Sequence, residues 1–459
     1  MQACPLAHLV ARVRAFDRFP KVDAALAAIR AEALGVPGGR VRRLGDTRAG
    51  ERLELISLGS GPCGVLVVAG PHPNEPVGLL TSMELARLIA EAIRAQDPAV
   101  APFTWHILPC WDLDGARLNE SWYTAPPSVE SYHRHFYRPA MAGQPEWTFP
   151  LDVPGARFDR PLPETTALMG AIDELAPQVL CSLHNSDVGG AFYILDQDRP
   201  ALAEELTRLP ALHGLPVDVV SVDTLGWASP APGVHVLPPA DALHRPADAS
   251  GGIAHPDHGA CSLHYAQRHA TRGILAEVPQ WRVERPPVPP PGRWAPAIGE
   301  QAEHITRTLA PLQAALEAAG RTVPDSLFLP AVQDTLQLAG AAANAWRNGI
   351  ERPEDPQLAE ALWNAVYDGS HLLPLRALGM WQRMFPDSPT SINGNPLVRR
   401  ATEHSRRSLG PLCESFETET SATPFPLREL VAAQLSAIFT TASHDAPEHR
   451  GGPCADQAL

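Results

Sequence analysis

Between residues 63 and 278 the chain alternates short apolar runs of strand length with longer amphipathic runs of helix length. CGVLVVAG (63–70) is apolar almost throughout and too short for a buried helix, so it reads as a buried strand. PVGLLTSMELARLIAEAIRAQ (76–96) follows with apolar positions at helical spacing and a proline at its start, where a missing N–H costs nothing. FTWHILP (103–109), PQVLCSLH (177–184), AFYIL (191–195) and RGILAEV (272–278) read as further strands, and PETTALMGAIDELA (163–176) as another helix. This alternation predicts an α/β fold with a largely parallel sheet. Ligands of such sheets lie beyond the carboxyl ends of the strands, so the residues that end each run matter most.

The flanking regions read differently. Residues 1–35 carry helical spacing in HLVARVRAF and VDAALAAIRAEAL, and 1–45 is expected to be a helical N-terminal extension. The α/β unit is expected over 46–283, interrupted by two irregular segments, 110–162 and 226–262, rich in Pro, Gly, Asp and His. Loops that long in a compact domain are usually functional. ERPPVPPPGRWAP opens a proline-dense linker assigned to 284–299 and expected to be stiff and extended, and 300–459 reads as a helical C-terminal domain.

Composition excludes several function classes. With 44% hydrophobic and 19% charged residues the chain is neither disordered nor collagenous. It carries 51 acidic against 37 basic residues, a net charge of −14, and Lys21 is its single lysine. Such a chain without a basic run is a poor partner for nucleic acid or an anionic membrane surface. No stretch of eighteen apolar residues is present, and the N-terminus lacks the basic start and apolar core of a secretory signal. The seven cysteines are scattered and form no C-x-x-C pair, which argues against a thiolate zinc site and makes a reducing cytoplasm the expected compartment.

Polar residues stand where the apolar runs end. AGPHPNEPVG places His72 and Glu75 just after the first strand, with prolines at 73 and 76 keeping the loop out of a continuous helix. Imidazole and carboxylate three residues apart can reach one cation, although about one H-x-x-E match is expected by chance in such a chain. His184 ends a second predicted strand and Glu277 a third. Taken singly, His184 reads equally well as a packed or capping residue, and Glu277 as one half of a salt bridge. Together the four residues suit an open metal site: two histidines and a carboxylate as ligands, with a further carboxylate to take a proton from water.

GPHPNEPVG, DLDGARLNESW (112–122), PETTAL (163–168), LHNSDVGGAFYIL (184–195) and AEVPQW (276–281) resemble, in order and spacing, the motifs of the zinc carboxypeptidase family, the carboxypeptidase A-like metallopeptidases. The resemblance covers about residues 50–282. It implies an α/β/α sandwich around a mixed, largely parallel sheet, one zinc ion per chain held by His72, Glu75 and His184, and Glu277 as general base. The family's Asn-Arg clamp for a substrate carboxylate has its nearest match in Asp159-Arg160, which keeps the arginine and not the asparagine. For the arginine that polarises the scissile carbonyl the candidates are Arg117, Arg134 and Arg138, with Arg138 in FYRP preferred as catalytic and Arg117 kept for substrate binding. Tyr265 is the candidate for the family's mobile tyrosine, at an unusual distance from Glu277.

A second histidine group, His244, His255, Asp257, His258, His264 and His269, falls in the long loop, where His255-x-x-His258 can bind a metal but a solvated rim of the active site is the stronger expectation. Trp111, Trp122, Trp147 and Trp227 in the irregular segments can line a substrate pocket or pack the loops. The expected function is a zinc-dependent hydrolase that cleaves an amide bond next to a free carboxylate, acting on a small peptide. A deacylase or amidase of small N-acyl amino acids or cell-wall-type peptides is the alternative, and a non-catalytic binding scaffold the remote one. Nothing in 300–459 reads as a site. Its tryptophan-bearing helices (Trp346, Trp363, Trp381) are left to cover the catalytic unit, limit substrate size or form a homo-oligomer contact.

Overall fold

The computed structural model describes residues 4–154, 156–243, 258–319, 326–385 and 395–446. Along the chain run α1 (Ala7–Val10), α2 (Val22–Leu34), β1 (Arg40–Asp46), β2 (Arg52–Gly59), β3 (Cys63–Ala69), α3 (Val77–Arg94), β4 (Phe103–Leu108), α4 (Leu113–Tyr123) and α5 (Val129–Arg134). A short hairpin of β5 (Leu151–Val153) and β6 (Ala156–Phe158) leads to α6 (Pro163–Leu175), β7 (Val179–Val188) and β8 (Phe192–Leu195). Then come α7 (Pro200–Leu206), α8 (Leu209–Leu212), β9 (Val234–Val236), α9 (Ala240–Leu243), α10 (Ser262–Ala266) and β10 (Arg272–Arg282). The chain closes with α11 (Pro291–Ala319), α12 (Phe328–Arg347), α13 (Pro356–Met384), α14 (Pro396–Thr420), β11 (Thr423–Pro424) and α15 (Leu427–His444).

One mixed sheet organises the molecule, in the order β1-β2-β4-β3-β7-β10-β8-β9, with β11 pairing β10. The central strands β4, β3, β7 and β10 are mutually parallel, whereas β1, β2 and β8 join antiparallel to their inner neighbours. Side chains of a strand alternate between faces, so β3 sends Val65, Val67 and Ala69 into one core and Leu66 and Val68 into another. The first core is closed by α2, α3 and α15, and the second by α6, α10 and the loop around Phe149. The expected α/β/α sandwich around a largely parallel sheet is therefore present, and the five expected strands and two expected helices all form.

Three departures come from local signals that tertiary structure overrode. HLVARVRAF is helical only over α1, and β1 begins at Arg40, inside the stretch expected to be a helical extension. β1 is an edge strand, half-exposed and arginine-rich, so it lacks the apolar alternation that marks a strand in sequence. The proline-dense segment expected to stay extended to 299 turns helical at Pro291, since proline is well tolerated in a first helical turn. Nor does the C-terminal stretch stay on one side: α11–α14 pack on one another, but α15 returns to lie against α3 and β10. Gln434 of α15 donates to the backbone carbonyl of His184 at 2.8 Å and accepts from Thr81 at 2.7 Å. Among the described residues no helix is long and apolar enough to cross a membrane.

Candidate metal centre

The site begins where β3 stops. β3 pairs β7 only as far as Ala69↔Leu183, so the next residue of β7, His184, has lost its neighbour on that side. Gly70, at φ +61°, turns the chain out of the sheet in the left-handed region that glycine enters without strain. The turn is fixed by Trp111 and Asp112, whose backbone N–H groups donate to Ala69 and Gly70 at 2.9 Å each, and Asp112 then caps α4. The carbonyl of Pro73 accepts from the Tyr123 hydroxyl, and Asn74 donates to Tyr132 at 3.3 Å. The His72–Glu75 loop is thus held by α4 and α5 below it and by α3 at its end.

On the other side β10 continues alongside β7, with Glu277 directly beside His184. Both residues lie inside their strands and not at their ends as expected from sequence, because β7 extends to Val188 and β10 to Arg282. What ends there is β3, and its early stop opens the crevice.

The donor atoms converge. Potential ligand atoms of His72, Glu75 and His184 all lie within 4.8 Å of one another, and all three residues are buried. His72 Nδ1 is 2.9 Å from Glu75 Oε1, and His184 Nδ1 is 3.1 Å from Glu75 Oε2. Behind His184, its Nε2 meets Ser182 Oγ at 3.1 Å, which leaves Nδ1 facing the cluster. Arg138 donates to Glu75 Oε1 at 2.9 Å and the Asn185 N–H to Glu75 Oε2 at 3.3 Å. Two imidazoles and a carboxylate form a donor set suited to a divalent transition metal. The described residues hold no other group of three such side chains.

Glu277 stands apart from that set. Its Oε1 is 3.8 Å from His184 Nδ1, and its Oε2 is enclosed without a hydrogen-bond partner among the described residues. Burial, together with the neighbouring Glu75 and Asp223 carboxylates, raises its pKa well above the usual carboxylate range. Glu75 moves the opposite way, for although burial pushes it up, His72 and His184 outweigh this and hold it low. His72 is lowered to about 3, by burial first and the Arg138 charge second. Two carboxylates a few ångströms apart therefore have opposed proton affinities, the usual sign of divided acid–base roles.

No family model matches this chain, and no curated protein matches it. Solved structures do. One is a metallo-carboxypeptidase from Burkholderia cenocepacia, at 19% identity and TM-score 0.31, covering 56% of this chain and 58% of that one. Another is the murein-tripeptide amidase of Escherichia coli O157, at 19% identity and TM-score 0.29, covering 55% and 87%. A third is thrombin activatable fibrinolysis inhibitor, at 9% identity and TM-score 0.38, covering 57% and 69%.

Of the residues singled out from sequence, His72, Glu75, His184, Glu277 and Arg138 meet in one place. The others do not. Arg117 points from α4 to Glu51 at 2.8 Å and Asp23 at 2.6 Å, away from the cluster, because acidic groups of the β1–β2 turn, α2 and its own helix surround it. Arg134 pairs with Glu130 one helical turn earlier. Arg160 is exposed with its guanidinium 5.5 Å from the Phe158 ring. Tyr265 packs into the core behind the sheet, donates to Asp173 at 2.8 Å and lies under Arg268, so it is no mobile tyrosine of this site.

In the histidine-rich loop, His244, His255 and Asp257 lie outside the described residues. His264 Nε2 meets the Pro238 carbonyl at 2.9 Å, His269 pairs with Asp173 at 2.8 Å, and His258 stands beside the Trp147 ring. Trp111 and Trp122 are buried and Trp147 and Trp227 partly so, each packed in the cores.

Several cleft residues escaped the sequence reading. Asn185 and Ser182, both in the quoted β7 run, hold Glu75 and His184. Asp223 is water-accessible yet feels the charges of Arg138, Glu75 and Arg376, as a residue in a cleft wall does. Arg376 of α13 reaches Asp187 on β7 at 2.6 Å, so the helical region touches the site.

Proposed function

We propose that this protein is a zinc-dependent hydrolase of the carboxypeptidase type, cleaving an amide bond next to a free carboxylate. The observation that carries the reading is the buried His72–Glu75–His184 donor set with Glu277 beside it, one of whose carboxylate oxygens has no partner among the described residues. The donors fit zinc: neutral nitrogens and one ionised carboxylate, with no fourth side chain among the described residues closing the set. Bound there, zinc would supply Lewis acidity toward a water molecule and a carbonyl oxygen.

The chain's own residues divide the remaining work. Low proton affinity keeps His72 neutral and Glu75 ionised, the forms in which both can act as ligands. Arg138 and the Asn185 N–H fix the Glu75 carboxylate from outside. Glu277 accepts a proton from the attacking water and returns it to the leaving nitrogen, a role suited to a carboxyl group whose proton affinity is raised by burial and by the neighbouring Glu75 and Asp223. The Arg138 guanidinium, within the same cleft, stabilises negative charge developing on the carbonyl oxygen.

A deacylase acting on small N-acyl amino acids is the second reading. It is supported by α13, whose Arg376 reaches Asp187 on the strand that carries His184. A non-catalytic scaffold has no need of all four residues. The test is metal analysis of the purified protein followed by hydrolysis assays on peptides and N-acyl amino acids with free or amidated carboxylates. Close to one zinc per chain and a marked preference for the free carboxylate are expected. Equal turnover of free and blocked substrates would replace the carboxypeptidase reading with a general amidase.

A further inference from the structure

Arg376 belongs to α13, far in sequence from β7, yet its guanidinium reaches Asp187, three residues beyond His184 on that strand. Its Nη2 donates to Asp187 Oδ2 at 2.6 Å. Asp187 Oδ1 accepts from the Tyr132 hydroxyl at 2.6 Å, and Tyr132 in turn accepts from Asn74, the residue between His72 and Glu75. The Phe136 ring lies 5.1 Å from the guanidinium carbon. The side chain is therefore held in one place by a network that ends in the metal loop.

That network leaves the guanidinium short of acceptors. Of five N–H donors, one on Nη2 meets Asp187, Nε is enclosed without a partner among the described residues, and Nη1 has no hydrogen bond among them. A cation largely removed from water and holding one carboxylate is costly unless another acceptor arrives. The side chain remains 22% exposed, and its charge is felt by Glu75 and Asp223 across the cleft. Arg117 is committed to Glu51 and Asp23, and Arg138 already holds Glu75 at the carbonyl side of the site.

We propose that Arg376 receives the free carboxylate of the substrate, so that the helical region and not the sheet sets this part of the specificity. The assignment rests on the hydrolase reading for what the ligand is, and on the Arg376–Asp187–Tyr132–Asn74 network for where its carboxylate goes. Guanidinium matches carboxylate in charge and planar geometry, and Asp187 presets its orientation before the ligand enters.

The test is equilibrium binding of N-acetyl-alanyl-alanine and of its C-terminal amide to zinc-loaded protein, in a Glu277→Gln background that stops turnover. The free acid should bind at least about tenfold more tightly than the amide. Adding Arg376→Gln should abolish this preference, leaving the affinity for the amide and the zinc content unchanged. Arg376→Lys keeps the ion pair with Asp187 but loses the planar fork, and should weaken the acid at least about threefold with the amide unchanged; it decides the matter if the glutamine variant does not fold. A parent protein without preference, a preference that survives in both variants, or equal weakening of acid and amide would overturn the assignment. Absence of hydrolysis by the wild-type protein, with the Arg376-dependent preference intact, would overturn the hydrolase reading alone.

Discussion

In β7 the polar residues Ser182, His184, Asn185 and Asp187 interrupt a buried strand, whereas in α13 Arg376 occupies one of many polar positions on a long amphipathic helix. Both elements place charged groups beside the same cleft. The strand advertises them, because a polar side chain in a run otherwise buried on both faces must be satisfied by something. The helix does not, because every amphipathic helix carries arginines on its outer face, and only docking decides which of them turn inward.

The docking itself is tight. Gly379 of α13 lies so close to α5 that a Cβ there would come within 1.8 Å of the His133 carbonyl oxygen. Arg383, one turn on, donates to the carbonyls of His135 at 2.6 Å and Leu118 at 2.7 Å, and Glu417 of α14 accepts from the Val129 N–H at 2.7 Å. The helical region thus grips α4 and α5, the elements that hold the metal loop from below.

The contrast breaks most sharply under His184→Ala. With one of the three proposed ligands gone, most of the zinc and essentially all hydrolysis should be lost, as read by metal stoichiometry and activity on purified protein. Retention of the metal would show that the ion, if any, sits elsewhere. Next in size is Glu277→Gln, which should lower kcat/KM by about 10²–10⁴-fold while zinc content and melting temperature hold. Loss of zinc in that variant would make Glu277 a ligand, and persisting activity would place the base elsewhere.

The helical region should respond in stability and not in metal binding. Gly379→Ala forces α13 off α5 and should cost about 3 kcal/mol in denaturant unfolding, with zinc stoichiometry unchanged in the folded fraction. A neutral result would mean that α13 is loosely docked and cannot hold Arg376 in register.

The smallest expected effect concerns pH. His133, on the α5 face that meets α13, is lowered to about 4 by burial, with the nearby Asp187 opposing. A histidine whose folded pKa is depressed leaves the unfolded state binding more protons between the two values, so stability falls as pH drops from about 6.5 toward 4. The loss should be about 1 kcal/mol between pH 6 and pH 5, and His133→Gln should flatten that slope. An unchanged slope would assign the acid sensitivity to other buried histidines such as His106 and His235, both also lowered to about 4 by burial.

The amino-acid sequence by itself determined the five buried strands from β3 to β10, their alternation with helices, and four of the residues that meet at the cleft. Those are consequences of local pattern: apolar runs of strand length must be buried, and a histidine or glutamate at their limits stands out against them. Glu277 and His184 were legible for that reason. Tertiary structure alone decided the rest. Position in the sequence favoured Arg138 over Arg117 and Arg134 and matched Arg160 to the clamp, but only the fold sent Arg138 to Glu75 and Arg117 to Glu51 and to Asp23 of α2. Tyr265 went to Asp173 because α10 packs behind the sheet and not over the cleft. Arg376 reached Asp187 across 189 residues of chain because Gly379 lets α13 approach the backbone of α5. A long charged side chain gains so little from any one surface position that its partner is fixed by which elements pack together, and that is a property of the whole fold.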